Sequence, residues 1–174
     1  MKLRISCPRW VRLALLACTV VMLCSSLGVA RLRRVNVALN PDDTPIKLLS
    51  IEDDVKIDYV DRIDSVVDYV NTTDRDVEAL AITIVYFDAF DEQLCGTRVI
   101  CTDGLAPGDG NGSRCIIVGP PGFVKTAVAF VSAVRFLDGE VWHADIALVL
   151  ETASLHDELK FLDCPELLEI ETEL

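Results

Sequence analysis

Val77-Glu78-Ala79-Leu80-Ala81-Ile82-Thr83-Ile84-Val85-Tyr86-Phe87-Asp88-Ala89-Phe90 is the stretch whose reading decides the fold. Alternation places Leu80, Ile82, Ile84 and Tyr86 on one face and Ala79, Ala81, Thr83, Val85 and Phe87 on the other, because successive side chains of a strand point to opposite sides. Both faces are apolar, so the stretch predicts a strand in the middle of a sheet rather than at its edge. Working outward, residues 65–71 form a second run, separated from the first by the turn-forming Thr72-Thr73-Asp74-Arg75-Asp76. Residues 97–101 and 114–118 are short strand candidates, and residues 123–136 are a long one. Asp138-Gly139 predicts a hairpin turn into Glu140-Val141-Trp142-His143, with both turn residues at positive φ. Several strands, turn signals between them and no long amphipathic helix predict an all-β domain of two packed antiparallel sheets over residues 58–150.

The flanks are less regular. Residues 31–57 hold Pro41 and Pro45 among Asp42 and Asp43, which reads as a linker followed by a first strand near residues 46–51. Residues 151–174 read as an acidic extension. Within it, residues 154–162 suit a short helix with Ser154 as N-cap and Leu155, Leu159 and Leu162 on one face, stopped by Pro165. Leu168, Ile170, Thr172 and Leu174 then alternate with Glu169, Glu171 and Glu173, the pattern of an edge strand guarded by its own charges or of one that adds to a partner's sheet.

At the other end, Lys2, Arg4, Arg9 and Arg12 precede an uncharged apolar run from Leu13 that closes on Gly28-Val29-Ala30. Residues 1–30 therefore read as a cleaved signal peptide, with an uncleaved membrane anchor as the alternative. Arg31, Arg33 and Arg34 favour the alternative, since basic residues after an apolar segment resist translocation. Leu15-Leu16-Ala17-Cys18 imitates a lipoprotein box, but too much apolar sequence follows it. The expected location is secreted or periplasmic, or membrane-anchored with the domain outside the cytoplasm. The whole chain carries a net charge of −12. With the four basic residues of the leader removed, twelve Lys and Arg face 28 Asp and Glu, and the net charge becomes −16. That field repels phosphate backbones and anionic lipid, which argues against nucleic-acid binding and leaves membrane contact to an uncleaved N-terminal segment.

Beyond the leader the cysteines are Cys95, Cys101, Cys115 and Cys164. An exported chain predicts that they pair. Sequence leaves three pairings open; closing the glycine-rich loop favours Cys101 with Cys115 and leaves Cys95 for Cys164. Zinc is the weaker use, since no Cys-x-x-Cys knuckle is present. The loop itself contains Asp109-Gly110-Asn111-Gly112-Ser113, whose oxygen side chains imitate the opening of a calcium loop. Arg114 and Pro120 occupy positions that exclude an EF-hand, which leaves a looser candidate calcium site of Asp103, Asp109 and Asn111. No other cofactor is expected. Asn71-Thr72-Thr73 and Asn111-Gly112-Ser113 are glycosylation sequons.

Two other motifs are weaker. Gly119-Pro120-Pro121-Gly122-Phe123-Val124-Lys125-Thr126 imitates a phosphate-binding loop but has Val124 where the backbone must pass close to phosphate. His143 and Asp145 share a face of an alternating strand beside Trp142, yet no nucleophile elbow accompanies them. Trp142 is expected between the sheets, and no catalytic residue is assigned.

Val70-Asn71-Thr72-Thr73, Tyr86-Phe87-Asp88 and Leu105-Ala106-Pro107-Gly108 resemble the sequence rhythm of the immunoglobulin-like FxLYD-type domains of exported bacterial proteins. The resemblance covers roughly residues 58–147 and implies an immunoglobulin-like sandwich and an accessory, non-catalytic role, with no active-site residues to carry over. The cysteine-bounded loop and the residue 134–142 hairpin depart from the pattern. The expected function is a non-catalytic secreted or envelope-associated interaction or structural module with an unknown protein partner, of cationic character if the acidity is functional. The alternative is a calcium-dependent binding or hydrolytic protein using the Asp/Gly-rich loop.

Overall fold

The alternation of residues 77–87 is realised as a strand paired on both sides. The computed structural model describes residues 34–56, 62–118 and 124–162, all within one compact unit, Arg33–Leu174. Its strands are β1 (Val35–Ala38), β2 (Ile46–Lys56), β3 (Arg62–Asn71), β4 (Val77–Phe87), β5 (Gln93–Cys101), β6 (Gly110–Val118), β7 (Thr126–Phe136) and β8 (Val141–His143). A helix, α1 (Ile146–Ser154), and a 3-10 turn at Asp157–Leu159 follow. The signal-peptide reading, Cys164, Pro165 and the terminal alternation lie outside the described residues, as do residues 119–123 of the phosphate-loop imitation.

One sheet has the order β1-β7-β4-β5, with β8 on the same edge of β7 as β1; the other has the order β2-β3-β6. The path β2-β3-β6 against β8-β7-β4 is the A-B-E and G-F-C arrangement of an immunoglobulin-like sandwich, with β5 added beside the third strand. β1 corrects two expectations. It is a strand inside what reads as linker, and it pairs with β7 in parallel, Val35 with Thr126 through Ala38 with Ala129, so the larger sheet is mixed. Its short Val-Asn-Val-Ala run is extended by Leu39, whose N–H donates to the Ala129 carbonyl. Asn36 and Asn40 reach across to β2. Asn36 Nδ2 donates to the Ile51 carbonyl at 3.1 Å, and the Asn40 amide pairs with both the N–H and the C=O of Leu48. These amides cap backbone groups of an edge strand at the point where its register against β3 shifts.

The two faces of β4 enter different cores. Leu80, Ile82, Ile84 and Tyr86 pack between the sheets with Ile46, Val67, Tyr69 and Val134. Val85 and Phe87 pack on the opposite side with Val37, Leu39, Val128, Phe130, Val149, Ala153 and Leu159. The molecule is therefore a sandwich with a third, helical layer on one outer face. Phe161 completes that layer, edge-on to Phe87 with ring centroids 5.3 Å apart. The helix ends where it was expected to begin. Asp145, rather than Ser154, is the N-cap and accepts a hydrogen bond from Ala147 N–H at 2.8 Å, while Leu159 is buried as part of the 3-10 turn.

The hairpin after β7 also differs in detail. Gly139 alone has positive φ, at 92°. Phe136 N–H bonds to Glu140 C=O and Gly139 N–H to Phe136 C=O, which makes a three-residue loop with glycine in the left-handed position rather than a two-residue turn.

Candidate functional site

The outer face of β2-β3-β6 has no covering layer among the described residues. Alternation sends Ser50, Glu52 and Asp54 of β2 to this side, with Arg62, Asp64, Val66 and Asp68 of β3 and Arg114 and Ile116 of β6. Register assembles them into cross-strand rows: Glu52, Val66 and Arg114 in one, Asp54, Asp64 and Ile116 in the next. Carboxylates opposite one another repel, and Arg114 relieves this by a two-pronged contact with Asp64, its Nε donating to Oδ1 at 2.6 Å and its Nη2 to Oδ2. Asp64 is thereby covered to 6 % exposure, while the Arg114 side chain stays 62 % exposed. Ser50 holds Asp68 by a hydrogen bond of 2.8 Å. Val66 and Ile116 remain solvent-exposed amid these charges. Glu52, Asp53, Asp54, Asp64, Val66 and Arg114 line a shallow cleft of about 330 Å³. Chemically, this surface offers carboxylates and a small apolar floor.

Behind it, the inner face carries a polar row that sequence reading missed: Asp53, Ser65 and Cys115 are successive cross-strand partners. Ser65 Oγ lies 2.6 Å from the Tyr86 hydroxyl of the facing sheet. Both Asp53 carboxylate oxygens are enclosed and, among the described residues, meet no hydrogen-bond partner at full hydrogen-bonding geometry, Ser65 being the nearest hydroxyl. Burial pushes the Asp53 carboxyl up, partly offset by Ser65 and by the Arg34 charge. Burial likewise raises the Tyr86 phenol and the Cys95 and Cys115 thiols. The usable signal was Ile51-Glu52-Asp53-Asp54, where strand alternation carried on from Ile51 points Asp53 inward.

Cys95, Cys101 and Cys115 are free thiols. They line the seam where β5 and β6 meet, with Cys101 Sγ 2.7 Å from Ser113 Oγ and Cys115 beside Thr97. Cys101 and Cys115 are not joined in this structure, and Cys164, the expected partner of Cys95, lies outside the described residues.

Asp103, Asp109 and Asn111 are all exposed around the β5–β6 connection. Among the described residues no three His, Cys, Asp or Glu side chains are grouped so that they could hold a metal ion. The Asp109 backbone instead ties the loop to β3, accepting from Asn71 N–H. Asn71 itself is fully buried: Nδ2 donates to the Arg75 and Leu105 carbonyls, and Oδ1 accepts from the Thr73 amide and hydroxyl. That sequon is a structural turn. His143 is exposed and the Asp145 side chain is engaged in capping α1; Trp142 packs against the inter-sheet core. In the phosphate-loop imitation, Val124 is a core residue and Lys125 pairs with Asp91 at 2.7 Å. No described helix is long and apolar enough to cross a membrane.

No family model matches the chain, and no curated protein matches it. Solved structures similar to it include a hypothetical protein of Peptoclostridium difficile 630, at 10 % identity and a TM-score of 0.46, with 61 % of this chain and 89 % of that one covered. The Salmonella enterica trimeric lipoprotein SadB aligns at 18 % identity and a TM-score of 0.35, covering 71 % of this chain and 73 % of its own. Likenesses this loose add nothing to the fold established by strand pairing.

Proposed function

We propose that this chain is an exported, non-catalytic interaction module whose uncovered acidic sheet face docks a cationic segment of a protein partner. The observation that carries the reading is the asymmetry of the two outer faces. Among the described residues, the larger sheet buries its outer side under α1 and the 3-10 turn, whereas the smaller sheet leaves Val66 and Ile116 exposed among Glu52, Asp54 and Asp68, with Asp64 already taken up by Arg114. An apolar centre ringed by charge is the composition expected of a recognition surface on a rigid scaffold. The resemblance to FxLYD-type domains and the basic-then-apolar leader support the exported, accessory side of the proposal. A lysine-rich peptide is the probe. Binding is expected at low salt, weakening steeply as salt is added and falling at least about tenfold in Glu52→Lys/Asp54→Lys, a loss of about 1.4 kcal/mol. Binding indifferent to both charge reversal and salt refutes the assignment.

A further inference from the structure

We propose that Asp53, enclosed between the sheets beside Ser65 and near Tyr86, is a pH-sensitive joint: its neutral carboxyl closes β2 onto the sandwich, and its carboxylate loosens that end of the β2–β3 pair. Asp53 stands on an inward position of β2 opposite Ser65, and both of its oxygens are shut off from water without a hydrogen bond. A carboxylate presents two oxygens with roughly four acceptor sites. The adjacent hydroxyl belongs to Ser65, which is already engaged with Tyr86 at 2.6 Å. A protonated carboxyl carries its own donor and can use an oxygen lone pair of Ser65, so protonation replaces an unsatisfied charge with a satisfied neutral group.

Burial, rather than any neighbouring charge, sets this preference. From β4 comes the Tyr86 phenol, from β5 the Cys95 thiol and from β6 the Cys115 thiol, all pushed up by burial and so kept neutral. From the chain ahead of β1 comes Arg34, which favours the carboxylate, as does Ser65 of β3, but burial is the larger influence. β7 contributes Ala127 beside Tyr86, and β1 contributes the Asn36 amide bonded to Ile51; neither ionises. On the outer side lie Glu52, Asp54 and the Arg114-paired Asp64. Because the folded carboxyl holds its proton more tightly than the unfolded one, its stabilisation is fully present below the unfolded aspartate range and is lost as pH rises through the folded value.

The test uses the full chain. Carboxyl-carbon NMR follows Asp53 directly, and amide hydrogen exchange, corrected for the intrinsic pH effect, follows β2 around Asp53 and β3 around Ser65. The expected midpoint for Asp53 lies above the ordinary aspartate value of about 3.9, and protection of those amides falls across the same pH interval. In Asp53→Asn that local loss disappears while the remaining acids keep their own pH dependence. A wild-type midpoint at or below the ordinary value overturns the proposal whether or not the variants fold, and so does an unchanged loss of protection in Asp53→Asn.

Discussion

Asn71 shows how much a single polar side chain can hold. Its amide closes the β3–β4 turn through Thr73 and Arg75 and reaches Leu105 on the far connection, where Leu105 and Val77 also exchange backbone hydrogen bonds. Asn71→Ala leaves two carbonyls and an N–H without these partners in a buried place. It is expected to cost about 2–4 kcal/mol in urea denaturation. The same burial predicts that Asn71 carries no glycan even when the chain is made in a glycosylating host, which intact mass would show. Asn71-Thr72-Thr73 is visible in the sequence as a turn, but the reach to Leu105 joins residues 34 positions apart, and no local pattern encodes that. Asp53 is the complementary case. Its inward parity follows from alternation, whereas its lack of a partner depends on what the facing sheet presents.

At the scale of elements, strand existence was more legible than strand ends. Residues 77–90 read as one strand, but β4 stops at Phe87 because Asp88 accepts from the N–H groups of Phe90 and Glu92 and turns the chain, with Asp91 at φ 65°. α1 starts earlier than the sequence expectation for a related reason. Ser154 suits an N-cap by type, but Asp145 follows a strand end and precedes Ile146-Ala147-Leu148-Val149, whose Val149 and Ala153 find an apolar sheet to cover. Asp145→Ala is expected to lower stability by about 0.5–2 kcal/mol. Leu159→Ala, which opens the layer beneath the 3-10 turn, is expected to cost about 2–5 kcal/mol. Thermal unfolding of the two variants tests that order. The β5–β6 seam predicts a chemical outcome as well. With burial raising the Cys95 and Cys115 thiols, both should alkylate slowly in the folded protein and promptly in denaturant, and no Cys101–Cys115 linked peptide should be recovered from the native chain.

Across the whole molecule, charge and layering divide the work. The helical layer occupies one outer face; among the described residues the acid-rich sheet opposite carries no such layer, and it is the surface the proposed docking uses. Its central strand β3 is anchored by Val67 and Tyr69 below and presents Val66 and Asp68 above, with Asp64 covered by Arg114. Asp53 connects this surface to the interior, since Glu52 and Asp54 flank it on β2. Provided the docking reading holds, peptide affinity measured at constant ionic strength should change through the Asp53 titration in wild type and lose that component in Asp53→Asn.

The sequence by itself determined the class of fold, the central position of β4, the partition of its two faces and the strongly acidic balance, because alternation and composition are local properties of the chain. Only the tertiary structure decided that β1 is a strand, that it runs parallel to β7, that cysteines in a seam face Ser113 and Thr97 rather than one another, and that Asp53 is enclosed without a partner. Each of these depends on which residues of distant strands meet across a ladder or between sheets, and that register is fixed by burying two cores at once rather than by any single stretch.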